Sequence, residues 1–241
     1  MRSPETVRRE LFSLQDPAYR TFSVRLMPAV PAEQVIGVRT PVLRRYAKEL
    51  AKEPDSCAAF LAVLPHGMHE ETLLHAFLLE RESDFDTLIA ALDRFLPFVD
   101  DWSTCDCMNP PVLGKQRERL LPHIDRWLAS ADTYTVRYAV GLLMRYYLDG
   151  NFDPAYPEKV AALQSGEYYV RMMVAWYFAT ALAKQESAVL PYFTGHRLPE
   201  WTWRKAVQKS LESDRIRPEM KDFLRTLRRE SANSIDRPAN L

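Results

Sequence analysis

The chain has 241 residues, of which 47% are hydrophobic and 27% charged, with 32 Lys and Arg against 32 Asp and Glu. This composition excludes a largely disordered chain, because many apolar side chains are available to offset the entropy of folding. The equal numbers of basic and acidic residues exclude a uniformly basic nucleic-acid coat. Seven glycines are too few for the turns of a sandwich or barrel, whereas 17 prolines suit helices that start or stop at Pro. The composition predicts an all-α protein.

Helix starts are visible at Ser3-Pro4 and Thr40-Pro41, where a hydroxyl that can cap a helix precedes a proline. Amphipathic spacing predicts helices at 18–27, 42–50, 70–79, 86–96, 116–128, 135–148, 157–163, 169–183, 203–211 and 218–229. Breaks are predicted at 28–31, 65–67, 109–114, 150–154 and 165–166. Short connections of this kind allow a closed bundle or a solenoid of stacked helix pairs, and pairs recur at about the spacing of HEAT-type repeats.

Charge is distributed unevenly along the chain. Residues 2–52 contain 10 basic and 5 acidic side chains, residues 53–106 contain 2 and 12, and residues 201–229 contain 9 and 4. Two basic ends would form one basic surface if they curve toward each other; an ordinary mixture of solvated faces is the alternative.

The cysteines and the chain start indicate the compartment. Three cysteines, Cys57, Cys105 and Cys107, cannot form a disulfide framework, which is typical of a reducing environment. The start has no apolar segment of a signal peptide, and the longest apolar stretch, 172–183, is too short to span a bilayer. We therefore expect a cytoplasmic protein with no membrane partner, folded over 1–230 and followed by a flexible tail at 231–241.

The first unusual segment precedes Pro110-Pro111. If it is helical, Trp102 and Asp106 are four residues apart and lie on one side, with Asp100 or Asp101 as the cap. The alternative is that Trp102 packs in the core and Asp106 caps the next element. Cys105 and Cys107 lack the spacing and the nearby histidine of a metal site, so no metal is expected.

The second unusual segment places Arg137, Gly141 and Arg145 on one helical face. A glycine inside a helix costs about 1 kcal/mol relative to alanine and usually admits a close neighbour, either a packed helix or a ligand. Two arginines beside it would hold phosphates; helix packing with solvated arginines is the alternative.

The third segment, 168–178, is apolar nearly all round, which favours a core position for Trp176. A functional role requires instead that Trp176 lies at a groove edge with an exposed aromatic face.

Together these segments resemble the AlkD-like family of HEAT-like-repeat DNA glycosylases, described as DNA alkylation repair enzymes, from Glu5 to about Glu230. The stretch Gly37-Val38-Arg39-Thr40-Pro41-Val42-Leu43-Arg44 is similar to the family's N-terminal motif, and 201–217 to its last repeat. The remaining matches are the tryptophan and catalytic aspartate pair, the active-site arginine and the second tryptophan, at Trp102, Asp106, Arg137 and Trp176.

The resemblance implies a single-domain α-helical solenoid whose concave, basic face holds duplex DNA containing alkylated bases. It implies a glycosylase that hydrolyses the bond between C1′ and the base nitrogen of positively charged purines such as 3-methyladenine and 7-methylguanine. It implies that the enzyme needs neither a metal nor an organic cofactor. It also implies that the damaged base is not drawn into a pocket, unlike in glycosylases in general.

Elementary chemistry agrees with these roles. A cationic alkylated base leaves without protonation, so the remaining problem is the positive charge that develops on the sugar. A carboxylate 4 Å away contributes about 4 kcal/mol at an effective dielectric near 20, and Asp106 would supply it and orient the water. Trp102 and Trp176 would contact the sugar and the cationic base with their ring faces, while Arg137 grips a phosphate. We expect these four side chains to converge in one cleft.

Salt-dependent contacts with phosphates are expected from seven further basic residues: Arg44, Arg45, Lys48, Arg145, Arg204, Lys205 and Lys209. The expected protein is a monomer. The competing interpretation is a non-catalytic HEAT-like scaffold that binds nucleic acid or a protein partner through the same face.

Overall fold

The computed structural model describes the backbone of residues 1–235 and the side chains of residues 1–231. These residues form 15 α-helices and two 3-10 turns, Ala32–Gln34 and Leu96–Phe98, and contain no strand, which confirms the all-α prediction. None of the described helices is both long and apolar enough to cross a membrane.

The chain divides into two compact units, Met1–His123 and Ile124–Leu241. The first unit contains α1 (Pro4–Ser13), α2 (Pro17–Leu26), α3 (Thr40–Leu50), α4 (Pro54–Leu61), α5 (His69–Leu79), α6 (Phe85–Phe95), α7 (Trp102–Cys107) and α8 (Pro111–Lys115). Helix α9 (Arg117–Leu128) spans the boundary. The second unit contains α10 (Thr133–Tyr146), α11 (Ala155–Ala161), α12 (Tyr168–Lys184), α13 (Glu186–Thr194), α14 (Glu200–Glu212) and α15 (Pro218–Ile235).

Of the two helix starts inferred from a hydroxyl and a proline, one has the expected cap. The Ser3 hydroxyl accepts a hydrogen bond from the Thr6 N–H at 3.3 Å, as expected for an N-cap. The expected cap at Thr40 is wrong, because the helix already includes Thr40 and its N-cap is Arg39, which makes no capping bond through its side chain.

Several helices that contain proline were not predicted from the sequence pattern. The break expected at 109–114 contains α8, which has Pro in its first turn, where no backbone N–H is needed. Helix α13 contains Pro191, and α4 is only 8 residues long, so neither gave a clear amphipathic period. Helix α15 continues to Ile235, so the backbone is helical over 231–235, and the rest of the tail expected at 231–241 lies outside the described residues.

Each unit is built around one central helix. In the first unit, all eleven residues of α5 are buried, and α5 packs against α3, α4, α6 and α7. In the second unit, α12 packs against α10, α11, α13 and α14. Contacts between every second helix, α3–α5–α7 and α10–α12–α14, are typical of helix pairs stacked in a row.

The glycine inside α10 is explained by this packing. A Cβ on Gly141 would lie 3.2 Å from the Cε of Met173, which belongs to α12. Of the two explanations for this glycine, a packed helix is therefore confirmed.

Candidate active site

Trp102 and Asp106 are one helical turn apart on α7, the helix anticipated before Pro110-Pro111. The N-cap of α7 is Asp101, one of the two residues that were expected to cap this helix. Asp106 is half-buried, and it is not the cap of α8, whose N-cap Pro110 has no side-chain bond. The capping alternative for Asp106 is therefore wrong.

Trp102 is half-buried rather than part of the interior. Its ring packs against the small apolar cluster of Met27, Val30 and Val35, and its Nε1 donates to the carbonyl of Leu26 at 3.2 Å. The cluster and the hydrogen bond fix the orientation of the indole. Its remaining surface lines a narrow cavity of about 70 Å³ that also reaches Phe22, Leu26 and Ser103.

The carboxylate that caps α7 is itself buried. Asp101 is 1% exposed, and its Oδ2 lies 3.3 Å from Nδ1 of His69. The two atoms are close enough for an ion pair, but their geometry does not form a hydrogen bond. Burial by itself would raise the pKa of Asp101, but His69 and the hydrogen bonds from Ser103 and Thr104 lower it to about 2. Burial opposes a charge on His69, yet Asp101 more than compensates and raises the pKa of this imidazole. Each group of the pair therefore favours the charged form of the other.

The next residue of α5, Glu70, holds the segment that resembles the family's N-terminal motif. Its buried carboxylate accepts hydrogen bonds from the N–H groups of Ile36 at 2.8 Å, Gly37 at 2.6 Å and Val38 at 3.2 Å. Gly37 has φ +91°, and a Cβ there would lie 2.4 Å from Cβ of Arg20. The motif thus has a structural reason for its glycine, since this backbone conformation and this close approach exclude a side chain.

A basic groove of about 680 Å³ lies along α3 in the first unit. It is lined by the expected phosphate contacts Arg44 and Lys48, and by Lys52 and Arg81, which sequence reasoning missed. Arg45 is exposed on the same helix but does not line the groove. Four cations around one open groove suit a polyanion such as the DNA backbone.

Arg44 is also engaged within the protein. Its Nη1 lies 2.6 Å from Oε2 of Glu80, its guanidinium stacks 3.9 Å from the centre of the Phe77 ring, and its Nη2 donates to the carbonyl of Cys107 at 3.0 Å. Arg44 therefore holds the C-terminal end of α7, a role that the sequence did not suggest.

In the second unit, Arg137 is buried, with 6% of its surface exposed. Its Nη1 donates to the carbonyl of Tyr169 in the first turn of α12 at 2.9 Å. The alternative of solvated arginines is therefore wrong for Arg137, and Arg145 is half-buried. A buried guanidinium with a fixed hydrogen bond has a defined direction from which to contact an anion.

Trp176 is exposed although α12 is otherwise an apolar helix. Its exposed fraction is 39%, and its neighbours Ala175 and Tyr177 are buried. The core position favoured by the apolar pattern is therefore wrong. Part of this side chain is exposed, as a functional role requires.

The model of the DNA alkylation repair enzyme family matches residues 7–210 of the chain. The chain belongs to this family. Comparison with curated proteins found no match. Membership of the DNA alkylation repair family supports a role in the repair of alkylated DNA and implies that the protein binds DNA.

The other basic residues that we expected to contact DNA in this alkylation repair protein lie on α14. Arg204 is exposed and pairs with Glu200 at 2.7 Å, and Lys209 is half-buried. Lys205 lies 5.9 Å from the centre of the Trp201 ring, over which Arg171 stacks at 4.0 Å. Arg171 was not anticipated from the sequence.

The structure divides the four candidate residues between the units. Trp102 and Asp106 lie in the first unit, and Arg137 and Trp176 in the second. Their convergence in one cleft stays a prediction. The sequence reasoning did not predict that His69 and Glu70 are buried. The only feature that could have indicated it is the presence of polar residues at the start of an apolar helix.

Proposed function

We propose that this protein is a DNA glycosylase that excises positively charged alkylated purines, such as 3-methyladenine and 7-methylguanine, from duplex DNA. The observation that carries the proposal is the Trp102 and Asp106 pair on α7, one turn apart and both partly exposed, in a member of the DNA alkylation repair family. A scaffold that only binds DNA has no need for a carboxylate beside an indole on its binding face.

The proposed chemistry uses the charge of the substrate. The alkylated base already carries the positive charge that makes it a leaving group, so the bond from C1′ to the base nitrogen breaks without an acid. The Asp106 carboxylate stabilises the positive charge that develops on the sugar and directs a water molecule to C1′. The water adds its oxygen to C1′ and loses a proton, and the neutral alkylated base departs with the bonding electrons. No step requires a metal or an organic cofactor.

The remaining contacts hold the duplex. The basic groove on α3 binds phosphates in the first unit, with Lys48 and Lys52 among its cations. In the second unit, Arg137 contacts a phosphate and the exposed face of Trp176 contacts the DNA. The protein acts as a monomer in the cytoplasm in this proposal, and its binding weakens with salt and is largely independent of DNA sequence.

The decisive experiment replaces Asp106 by Asn, which keeps the shape of the side chain but removes its charge. Under single-turnover conditions with methylated duplex DNA, release of alkylated base should fall about ten- to a thousandfold. Binding to the same duplex should remain similar or improve slightly, because an anion near phosphates has been removed. Asp214→Asn, an equivalent change at an exposed residue of the second unit, should leave both measurements unchanged.

Two outcomes would contradict this proposal. A wild-type protein that releases no base above the spontaneous rate is not a glycosylase, and a fully active Asp106→Asn variant shows that Asp106 is not catalytic. DNA binding that persists in an inactive wild-type protein would identify the non-catalytic scaffold instead.

A further inference from the structure

Helix α7 carries both Trp102 and Asp106 but has only 6 residues. A helix of this length is not stable by itself, because the few hydrogen bonds within it do not offset the cost of nucleation. The direction in which the Asp106 carboxylate points therefore depends on what holds α7 at its two ends. Arg44 holds the C-terminal end through the Cys107 carbonyl.

The N-terminal end is organised by Asp101. Its Oδ1 accepts from the N–H groups of Ser103 at 2.7 Å and Thr104 at 3.1 Å, and its Oδ2 accepts from the Thr104 hydroxyl at 2.7 Å. The Ser103 hydroxyl also donates to Oδ1. All four bonds lie within the first turn, so they attach the carboxylate firmly to α7 but do not connect α7 to another helix.

His69, the first residue of α5, connects this end of α7 to α5, in addition to the bond from Trp102 to Leu26 of α2. The side chains of His69 and Asp101 are 6% and 1% exposed, with Nδ1 and Oδ2 3.3 Å apart. Two charges removed from water are tolerated only where each compensates the other, so a shift of α7 that separates them is strongly opposed. The acidic groups that act on His69 are Asp101, Glu70 and Asp100.

The start of α5 is a suitable reference point because it is tied to other parts of the first unit. Glu70 binds the backbone of 36–38, which leads into α3, and Glu71 pairs with Arg8 of α1 at 2.7 Å. Three consecutive residues, His69, Glu70 and Glu71, therefore connect one buried helix to three separate elements.

We propose that His69 is a positioning residue: its ion pair with Asp101 fixes α7 against α5, and so sets where the Trp102 indole and the Asp106 carboxylate face the DNA. The effect on catalysis rests on the proposed glycosylase function, whereas the effect on the placement of α7 does not. Separate measurements distinguish the two effects.

The first test compares His69→Leu, which removes the charge and the donor, with His69→Asn, whose side-chain amide places a neutral donor near the position of Nδ1. For His69→Leu, single-turnover base release should fall about ten- to a hundredfold while the Kd for duplex DNA changes less than about twofold, because α7 is misplaced by a small distance. His69→Asn should recover only part of the rate, because a neutral amide replaces the cation of the ion pair. His196→Asn, at an exposed histidine with φ 49°, is the matched control and should match the wild type.

The second test does not depend on activity. The Nε1–H of Trp102 donates to Leu26, so its NMR resonance, assigned with Trp102→Phe, reports the position of α7. It should shift in His69→Leu and move back toward the wild-type value in His69→Asn. In the wild type it should also titrate at a pH above the range of an ordinary histidine, because deprotonation of His69 removes the ion pair, and the rate should fall over the same range. Both changes should be absent in His69→Asn.

A double variant separates positioning from stability. His69→Leu alone leaves Asp101 buried without a cation, which destabilises the fold. In His69→Leu with Asp101→Asn neither charge of the buried pair remains and one capping acceptor is kept, so stability should recover while the low rate and the shifted Trp102 resonance persist.

Three results would overturn the proposal: a Trp102 resonance unmoved in folded His69→Leu, a titration at raised pH that persists in His69→Asn, or a double variant with the wild-type rate and resonance. An inactive wild-type protein whose Trp102 resonance follows His69 as described would reject the glycosylase but support the positioning role.

Discussion

The central helices of the two units, α5 and α12, bury different kinds of side chain. The first turn of α5 buries His69, Glu70 and Glu71, each held by a charged or backbone partner. Helix α12 buries aliphatic and aromatic side chains, and close approach to α10 is possible because Gly141 faces Met173. The candidate catalytic carboxylate therefore belongs to a region organised by buried charges, whereas Trp176 lies on a helix held by apolar packing.

This difference determines how each region responds to change. Apolar packing is sensitive to the volume of a side chain and insensitive to pH. Buried ionisable groups respond to pH whenever the folded and unfolded pKa values differ. Changes in side-chain volume therefore probe the second unit, and changes in pH probe the first.

The largest effect is expected from a cavity in the second unit. Phe178 on α12 is fully buried, with its ring 4.9 Å from that of Tyr192. Phe178→Ala should lower the free energy of unfolding by about 3–5 kcal/mol, measured by urea denaturation. The matched change Phe223→Ala removes a ring that is 43% exposed and should cost about 0.5 kcal/mol or less. Equal losses in the two variants would show that apolar packing does not hold α12.

A pH effect is expected from a second histidine pair in the first unit. Nε2 of His66 lies 2.9 Å from Nδ1 of His75, and the rings stack on Phe60 and Phe95. Burial lowers the pKa of His66 to about 4 and the pKa of His75 to about 3. Between about pH 6.5 and 4 the unfolded chain binds more protons than the folded protein, so stability falls as the pH falls.

The expected slope is up to about 1.4 kcal/mol per pH unit for each imidazole, measured by urea denaturation at a series of pH values. His75→Phe should reduce the slope, since one of the two groups no longer titrates, and His196→Asn should leave it unchanged. His69 has the opposite sign: its pKa is raised, so its ion pair is lost as the pH rises. A slope that is the same in His75→Phe as in the wild type would contradict the assignment.

The smallest effect is expected at Gly141. Alanine there would meet only the flexible end of Met173 and would favour the helix by up to about 1 kcal/mol, so the stability of Gly141→Ala should lie within about 1 kcal/mol of the wild type. Thermal and urea denaturation would measure the difference.

The matched substitution in the first unit is Gly37→Ala. It combines φ +91° with a Cβ 2.4 Å from Arg20 and should cost about 1–3 kcal/mol. A larger loss at Gly141 than at Gly37 would reverse the contrast between the two units.

Much of the candidate site follows from local patterns. The spacing of Trp102 and Asp106 and the cap at Asp101 depend on residues within one or two turns of each other, and local hydrogen bonds and helical geometry determine them. The same holds for the four-residue spacing from Arg137 to Gly141. The helices α8 and α13 were missed because proline is compatible with a first turn and with a bent helix, so its presence alone does not mark a break.

The sequence by itself determined the all-α class, most helices and the residues by which the chain resembles its family, because side-chain periodicity, capping and motif order are local properties. Only the tertiary structure decided that Trp176 is exposed, that Arg137 is buried and that His69 reaches Asp101, 32 residues away along the chain. Exposure depends on which neighbouring helices cover a face, and a buried charge depends on a partner from a different element. Neither property can be read from spacing along one helix, since both arise only when distant segments pack together.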